Sequence, residues 1–136
     1  MIVLETQWWS LLLPPEWVAE EDEDGGVAIG DSDGVGCIEL TELRHPEGCF
    51  TRRDTRDVAE EQGRDPAWHE SALGPLQGVY RSTIDDGAAI REWCVASGPL
   101  LLYITYSCDE SNAGMDDAAV DDILGTLAVD PDLQSS

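Results

Sequence analysis

The stretch Asp31-Ser32-Asp33-Gly34-Val35-Gly36-Cys37-Ile38-Glu39-Leu40-Thr41-Glu42 matches an EF-hand calcium loop at its first, third, sixth, eighth and twelfth positions. Its fifth position, which should supply an oxygen ligand, is Val35, and the flanking residues alternate like strands rather than helices. The chemistry expected of the segment is therefore that of an acidic hairpin without a metal. Upstream, Glu20-Glu21-Asp22-Glu23-Asp24 sets five carboxylates in a row, a solvated loop or else a rim for a cationic partner. His45 precedes Pro46 and His69 lies in Trp68-His69-Glu70, so neither has a second ligand one helical turn away or a nearby cysteine pair. Structural roles are expected for both.

The nucleophile signatures are missing too. The chain has no GxSxG elbow, no GxxxxGK[ST] phosphate loop and no GxGxxG. Cys108 stands beside Asp109 and Glu110, among like charge, the reverse of an activated thiolate. Cys37, Cys49, Cys94 and Cys108 show neither CxxC spacing nor the density of a disulfide scaffold, so they read as reduced core or half-buried residues. A Cys94–Cys108 pairing is compatible with the sequence but not forced by it. Neither a catalytic role nor a cofactor is expected.

Charge excludes one class of function and favours another. The 136 residues carry 29 Asp and Glu against 7 basic residues, all of them Arg, for a net charge of −22. Recognition of a phosphate backbone depends on clustered Lys and Arg, so nucleic acid is excluded as a partner. Five of the arginines (Arg44, Arg52, Arg53, Arg56, Arg64) fall in the middle of the chain, which makes the molecule dipolar. They are expected to pair with Asp54, Asp57, Glu60 and Glu61 along an exposed helix, with an anion site as the alternative. The N-terminus lacks the features of a signal peptide, and the longest apolar runs are far shorter than a membrane span, so a cytoplasmic protein with no membrane partner is expected. A hydrophobic content of 42% and five tryptophans suffice for one core, hence a single domain over residues 1–136.

The elements that must position these groups follow from pattern and punctuation. Gln7 to Leu13 reads as an apolar strand stopped at Pro14-Pro15, and Val27 to Asp31 reads as a second strand. A two-residue Asp33-Gly34 turn then sets Ile29 opposite Ile38 and Val27 opposite Leu40, all on one face, with Ala28, Glu39 and Thr41 on the polar face. Turns at Asp86-Gly87 and Gly98-Pro99 generate a three-strand meander pairing Arg81 with Glu92, Tyr80 with Trp93, Trp93 with Ile104 and Val95 with Leu102. One face collects Tyr80, Trp93, Val95, Leu102, Ile104 and Tyr106, and the other Val79, Cys94, Ala96, Leu101 and Tyr103. Both need covering. A helix over Met115 to Ala128, capped by Ser111 or Asn112, presents Ala119, Val120, Ile123, Leu124 and Leu127, and a shorter one over Thr55 to Gln62 turns Val58 and Ala59 inward.

The pieces Trp9-Ser10-Leu11-Leu12-Leu13-Pro14-Pro15-Glu16-Trp17, Gly78-Val79-Tyr80, Arg91-Glu92-Trp93, Leu102-Tyr103-Ile104-Thr105-Tyr106-Ser107-Cys108 and Ile123-Leu124-Gly125-Thr126-Leu127, in this order, resemble the PsbP-like group, including bacterial DcrB-type domains of unknown function. The resemblance covers about Trp8 to Val129. It implies an α+β fold, an antiparallel sheet of about six strands packed by helices in an α/β/α sandwich. Members of the group serve as photosystem accessory subunits, as a partner of a nuclear-transport GTPase and as adaptors for secreted effectors, with no shared enzymatic role. The acid excess and the absence of Lys depart from what that architecture demands.

The expected function is accordingly that of a non-catalytic acidic binding protein, monomeric or homodimeric: an adaptor, chaperone or immunity-type partner of a basic protein. Two alternatives stand beside it. The acidity can belong to a whole proteome adapted to high salt, or an apolar pocket lined by Tyr80, Trp93 and Tyr106 can take a small ligand. The surface expected to bind comprises Trp8, Trp9, Trp17, Glu20, Glu21, Asp22, Glu23 and Asp24. Adjacent Trp8 and Trp9 in a strand point to opposite faces, so one of them is expected outside the core as an aromatic anchor with an acidic rim.

Overall fold

A computed structural model of the chain describes residues 2–21, 26–31, 34–45, 47–63 and 67–130. Ten strands and two helices follow in the order β1 (Ile2–Glu5), β2 (Trp9–Leu13), β3 (Trp17–Glu21), β4 (Val27–Asp31), β5 (Gly36–Arg44), α1 (Arg52–Glu61), β6 (His69–Leu73), β7 (Leu76–Asp85), β8 (Ala88–Ser97), β9 (Leu100–Asp109), α2 (Asp117–Gly125) and β10 (Ala128–Val129). Seven strands form one antiparallel sheet in the order β3-β4-β5-β9-β8-β7-β6, and β1-β2-β10 form a smaller one. The class is α+β, as expected. The strand number exceeds the six or so anticipated because β1, β3, β6 and β10 carry little signal: Ile2 and Val3 of β1 are exposed, β3 buries only Trp17 fully, β6 is an exposed edge, and β10 has two residues.

Turn chemistry fixes the registers. Ile29 lies opposite Ile38 and Val27 opposite Leu40, while Arg81 faces Glu92 and Trp93 faces both Tyr80 and Ile104. At the β7–β8 turn Asp86 and Gly87 both adopt left-handed backbone (φ 49° and 82°), the geometry that a tight two-residue hairpin requires.

The strand alternation sends the two apolar sets to opposite sides of the large sheet. On one side Ile29, Ile38, Leu40, Trp93, Val95, Leu102, Ile104 and Tyr106 pack against Val120, Ile123, Leu124 and Leu127 and against Trp9, Leu11 and Leu13 of the small sheet. On the other, Val79, Cys94 and Leu101 pack under Ala59 and Trp68, with Phe50 and Val58 at the margin. The layers are thus α1, the seven-stranded sheet, and a mixed layer of α2 with the small sheet. The opening strand is buried on one side only, since Leu12 is exposed between Leu11 and Leu13.

Both helices start elsewhere than the apolar periodicity suggests. Helix α1 begins three residues earlier, at a capping box in which Thr51 Oγ1 accepts from Asp54 N and Asp54 Oδ2 accepts from Thr51 N. That backbone hydrogen bond holds the Asp54 carboxyl below its ordinary pKa. Helix α2 begins at Asp117, not Met115, and its cap position is Asp116 rather than Ser111 or Asn112, which form a short 3-10 turn capped by Asp109. The Asp116 carboxylate is drawn away from the helix end because it accepts from Tyr106 Oη at 2.7 Å.

The cysteines divide between the two sides of the sheet. Cys94 faces α1 and Cys108 the α2 side, and Cys108 pairs with Ala89 rather than Cys94, so the Cys94–Cys108 pairing compatible with the sequence is not made; all four thiols are free. Burial pushes the Cys94 thiol up to about 12, and burial followed by the Glu39 charge raises Cys37. Cys49 is exposed. Maleimide at pH 7.5 is therefore expected to label Cys49 of the native protein at least ten times faster than Cys94, because the thiolate is the reacting species. Peptide mapping after timed quenching checks this, and equal rates would contradict the packing of Cys94 under α1.

Candidate functional site

The β1–β2 turn decides which tryptophan faces out. Thr6 Oγ1 accepts from the amides of Trp8 and Trp9 and donates to Trp9 O, while Asp130 N donates to Trp8 O at 2.9 Å. With the backbone so fixed, strand alternation buries Trp9, 3% exposed, and leaves Trp8 half-buried at the surface. Trp9 is held through its indole Nε1–H, which donates to Glu42 Oε1 at 3.0 Å. Glu42 in turn accepts from Arg44 Nε at 2.7 Å, and the Arg44 guanidinium lies 4.3 Å from the centre of the Trp8 ring. A guanidinium stacked on an indole beside a carboxylate is how a cationic side chain is bound. Here one of the chain's own arginines fills that place.

Of the expected binding residues, the structure brings together fewer than the sequence suggested. Trp17, 4% exposed, and Trp9 are core residues, so neither reaches a partner; β3 packs its Trp17 face onto the sheet interior. Glu20 and Glu21 are exposed on β3, and Glu21 shares a cleft of about 260 Å³ with Glu42, Arg44 and the edge of Trp9. Asp22, Glu23 and Asp24 lie outside the described residues. Of the calcium-like segment, Asp31 ends β4, residues 32 and 33 lie outside the described residues, and Gly36 to Glu42 belong to β5, while Asp31 Oδ1 accepts from Val35 N.

The arginines follow a pattern that sequence spacing did not reveal. Arg81, 6% exposed, donates from Nε to Glu92 Oε1 at 2.9 Å and from its terminal nitrogens to Gly63 O and Gln62 O, and its guanidinium lies 4.3 Å over Trp68. Glu92 also accepts from Tyr103 Oη. Burial and the Glu92 hydrogen bond raise the Tyr103 hydroxyl well above its ordinary range. Arg91 stacks over Trp93 at 4.7 Å, donates to Tyr80 Oη, and reaches Asp121 at 2.7 Å and Asp117 at 3.5 Å, tying α2 to the sheet. Asp54, expected as an ion-pair partner along α1, serves the helix cap instead. Every buried side-chain nitrogen and oxygen among the described residues has a hydrogen-bond partner, so these networks staple the fold together.

Trp93 and Tyr106, expected as pocket walls, are filled core, 3% and 2% exposed. Tyr80 and an edge of Trp93 line an open cleft of about 340 Å³ with Arg91 and Asp121. Among the described residues no helix is long and apolar enough to cross a membrane.

No family model and no curated protein matches the chain. Solved structures do. A Bacteroides thetaiotaomicron protein superposes with a TM-score of 0.65 at 16% identity, over 90% of this chain and 45% of its own. The chain thus spans less than half the length of that protein. The solution structure of cyanobacterial PsbP (CyanoP) from Synechocystis superposes with a TM-score of 0.47 at 13% identity, covering 90% of this chain and 86% of that one. At such identities the likeness concerns fold alone.

Proposed function

We propose that this chain is a non-catalytic acidic binding protein, an adaptor, chaperone or immunity-type partner of a basic protein, built on a PsbP-like domain of the DcrB type. The observation that carries the reading is where the charge lies. Of the carboxylates among the described residues, only Glu92 is buried, while Arg44, Arg81 and Arg91 are each engaged in internal ion pairs. Among the described residues the acid excess of this −22 chain therefore lies almost wholly at the surface, a field that accelerates encounter with cationic proteins and fades with salt. Adaptor roles within the PsbP-like group support the same reading.

The test is affinity capture from lysate of the native host at about 50 mM and about 500 mM salt. A protein of basic pI retained at low salt, released at high salt and rebinding in purified form supports the proposal. Recovery of no basic protein overturns it. The absence of Lys favours a second reading, in which the acidity is an adaptation to concentrated salt. That reading requires the domain to unfold at low ionic strength and other proteins of the organism to be equally acidic, whereas the binding reading requires neither.

A further inference from the structure

The acid surface is not uniform. At the β7–β8 end of the large sheet, on the α2 side, Ile84 is 58% exposed although it points the same way as Tyr80 and is paired with Ala89, which packs onto the core. Helix α2 does not extend far enough to cover it. Between this strand pair and the Ala113-Gly114 loop lies an open groove of about 440 Å³, larger than the cleft of about 260 Å³ at the edge of Trp9. Gly114 leaves its wall open, since a Cβ there would meet nothing within 4 Å.

One carboxylate, Asp117, lines this groove, and Asp86 stands in the turn that closes the β7–β8 hairpin two residues after Ile84. Glu110 N donates to Gly87 O at 2.8 Å, so Glu110 stands beside the same turn, whereas strand alternation sends Asp85 and Asp109 to the α1 side. Asp86 and Glu110 are exposed and enter none of the ion pairs among the described residues. Arg91, the cation at the groove, is already matched by Asp117 and Asp121.

We propose that this groove is the docking site for a basic amphipathic segment of a protein partner, with an apolar side chain seated against Ile84 and Ala89 and flanking Lys or Arg facing the acid rim. The inference rests on the binding function proposed above and gives it a location. It favours this end of the molecule over Trp8 because the Trp8 ring is already covered by Arg44, whereas most of the Ile84 side chain stays open. Apolar contact at the centre with charge at the rim is the arrangement in which a few residues carry most of the affinity.

Two synthetic peptides of equal length and charge test the proposal on the full chain at low ionic strength, one an amphipathic Lys/Leu helix and the other with every Leu replaced by Ser. Fluorescence anisotropy is expected to give at least ten-fold tighter binding of the Lys/Leu peptide. Ile84→Ser should remove most of that difference without altering the weaker binding of the Lys/Ser peptide. Ile84 is exposed, so this variant should retain the wild-type circular dichroism and Tm. Equal binding of the two peptides, or an advantage lost in Trp8→Ala but kept in Ile84→Ser, overturns the groove and leaves the charge reading standing. If neither peptide binds in a salt-sensitive way, the charge reading itself fails.

Discussion

Replacing Glu92 by Ala is expected to destabilise the protein by about 3–5 kcal/mol, the usual consequence of removing one member of a buried ion pair. Glu92 and Arg81 are each 6% exposed, and the carboxylate accepts from both Arg81 and Tyr103. Arg81 also binds the carbonyls of Gln62 and Gly63 at the end of α1 and lies over Trp68, whose indole N–H donates to Gly63 O. Loss of the carboxylate therefore strikes the point where α1 is fixed to the sheet. Tyr103→Phe, which removes one hydrogen bond to a charged acceptor, should cost about 1.5–3 kcal/mol. Joint replacement of Arg81 and Glu92 by Met and Leu should recover much of the loss, since an apolar pair of similar volume avoids the desolvation of two charges. Urea unfolding of the variants checks the ordering. A Glu92→Ala cost below about 1 kcal/mol would contradict the buried pair.

Gly78→Ala is expected to cost about 3 kcal/mol or more, at or beyond the upper end of ordinary overpacking. A Cβ at position 78 would come within 1.9 Å of Cys94 O and 2.8 Å of Val95 Cα, both backbone atoms of the neighbouring central strand. Neither can move without opening the β7–β8 ladder, on which Arg81–Glu92 and Tyr80–Trp93 depend. Gly30→Ala in β4 is the control, because a Cβ there meets nothing within 4 Å. It should be neutral or stabilise by up to about 1 kcal/mol through the unfolded chain. Similar losses in the two variants would show that glycine flexibility, rather than the close approach at Gly78, governs the effect.

Gly78 marks a boundary of what the sequence reveals. The turn residues at 86–87 and 98–99 determine hairpin registers, because each tight turn fixes which positions face each other and alternation then sorts the sides, while the β4–β5 register agrees with the pairing expected from the sequence. The apolar sets around Trp93 and around Cys94 are therefore legible in the sequence, as is the apolar face of α2. The strand order is not. Placing β5 beside β9 joins segments far apart in the chain, which no local turn encodes. Strand β6 is hidden because an edge strand of mostly exposed residues carries no apolar alternation. At the start of β2, alternation shows that Trp8 and Trp9 diverge, but the hydrogen bonds of Thr6 and Asp130 determine which one turns outward. The Arg81–Glu92 pairing follows from register, whereas its burial follows from α1 lying across it. The groove beside Ile84 is illegible because it exists only where α2 stops short.

The binding function is tested most directly by titrating the purified chain with the basic protein recovered from its host and following the dissociation constant as salt is raised. Saturable binding at a fixed stoichiometry is expected, weakening at least ten-fold between about 50 mM and about 500 mM salt while circular dichroism shows the domain folded throughout. Absence of saturable binding, or a domain that folds only at molar salt, would contradict it.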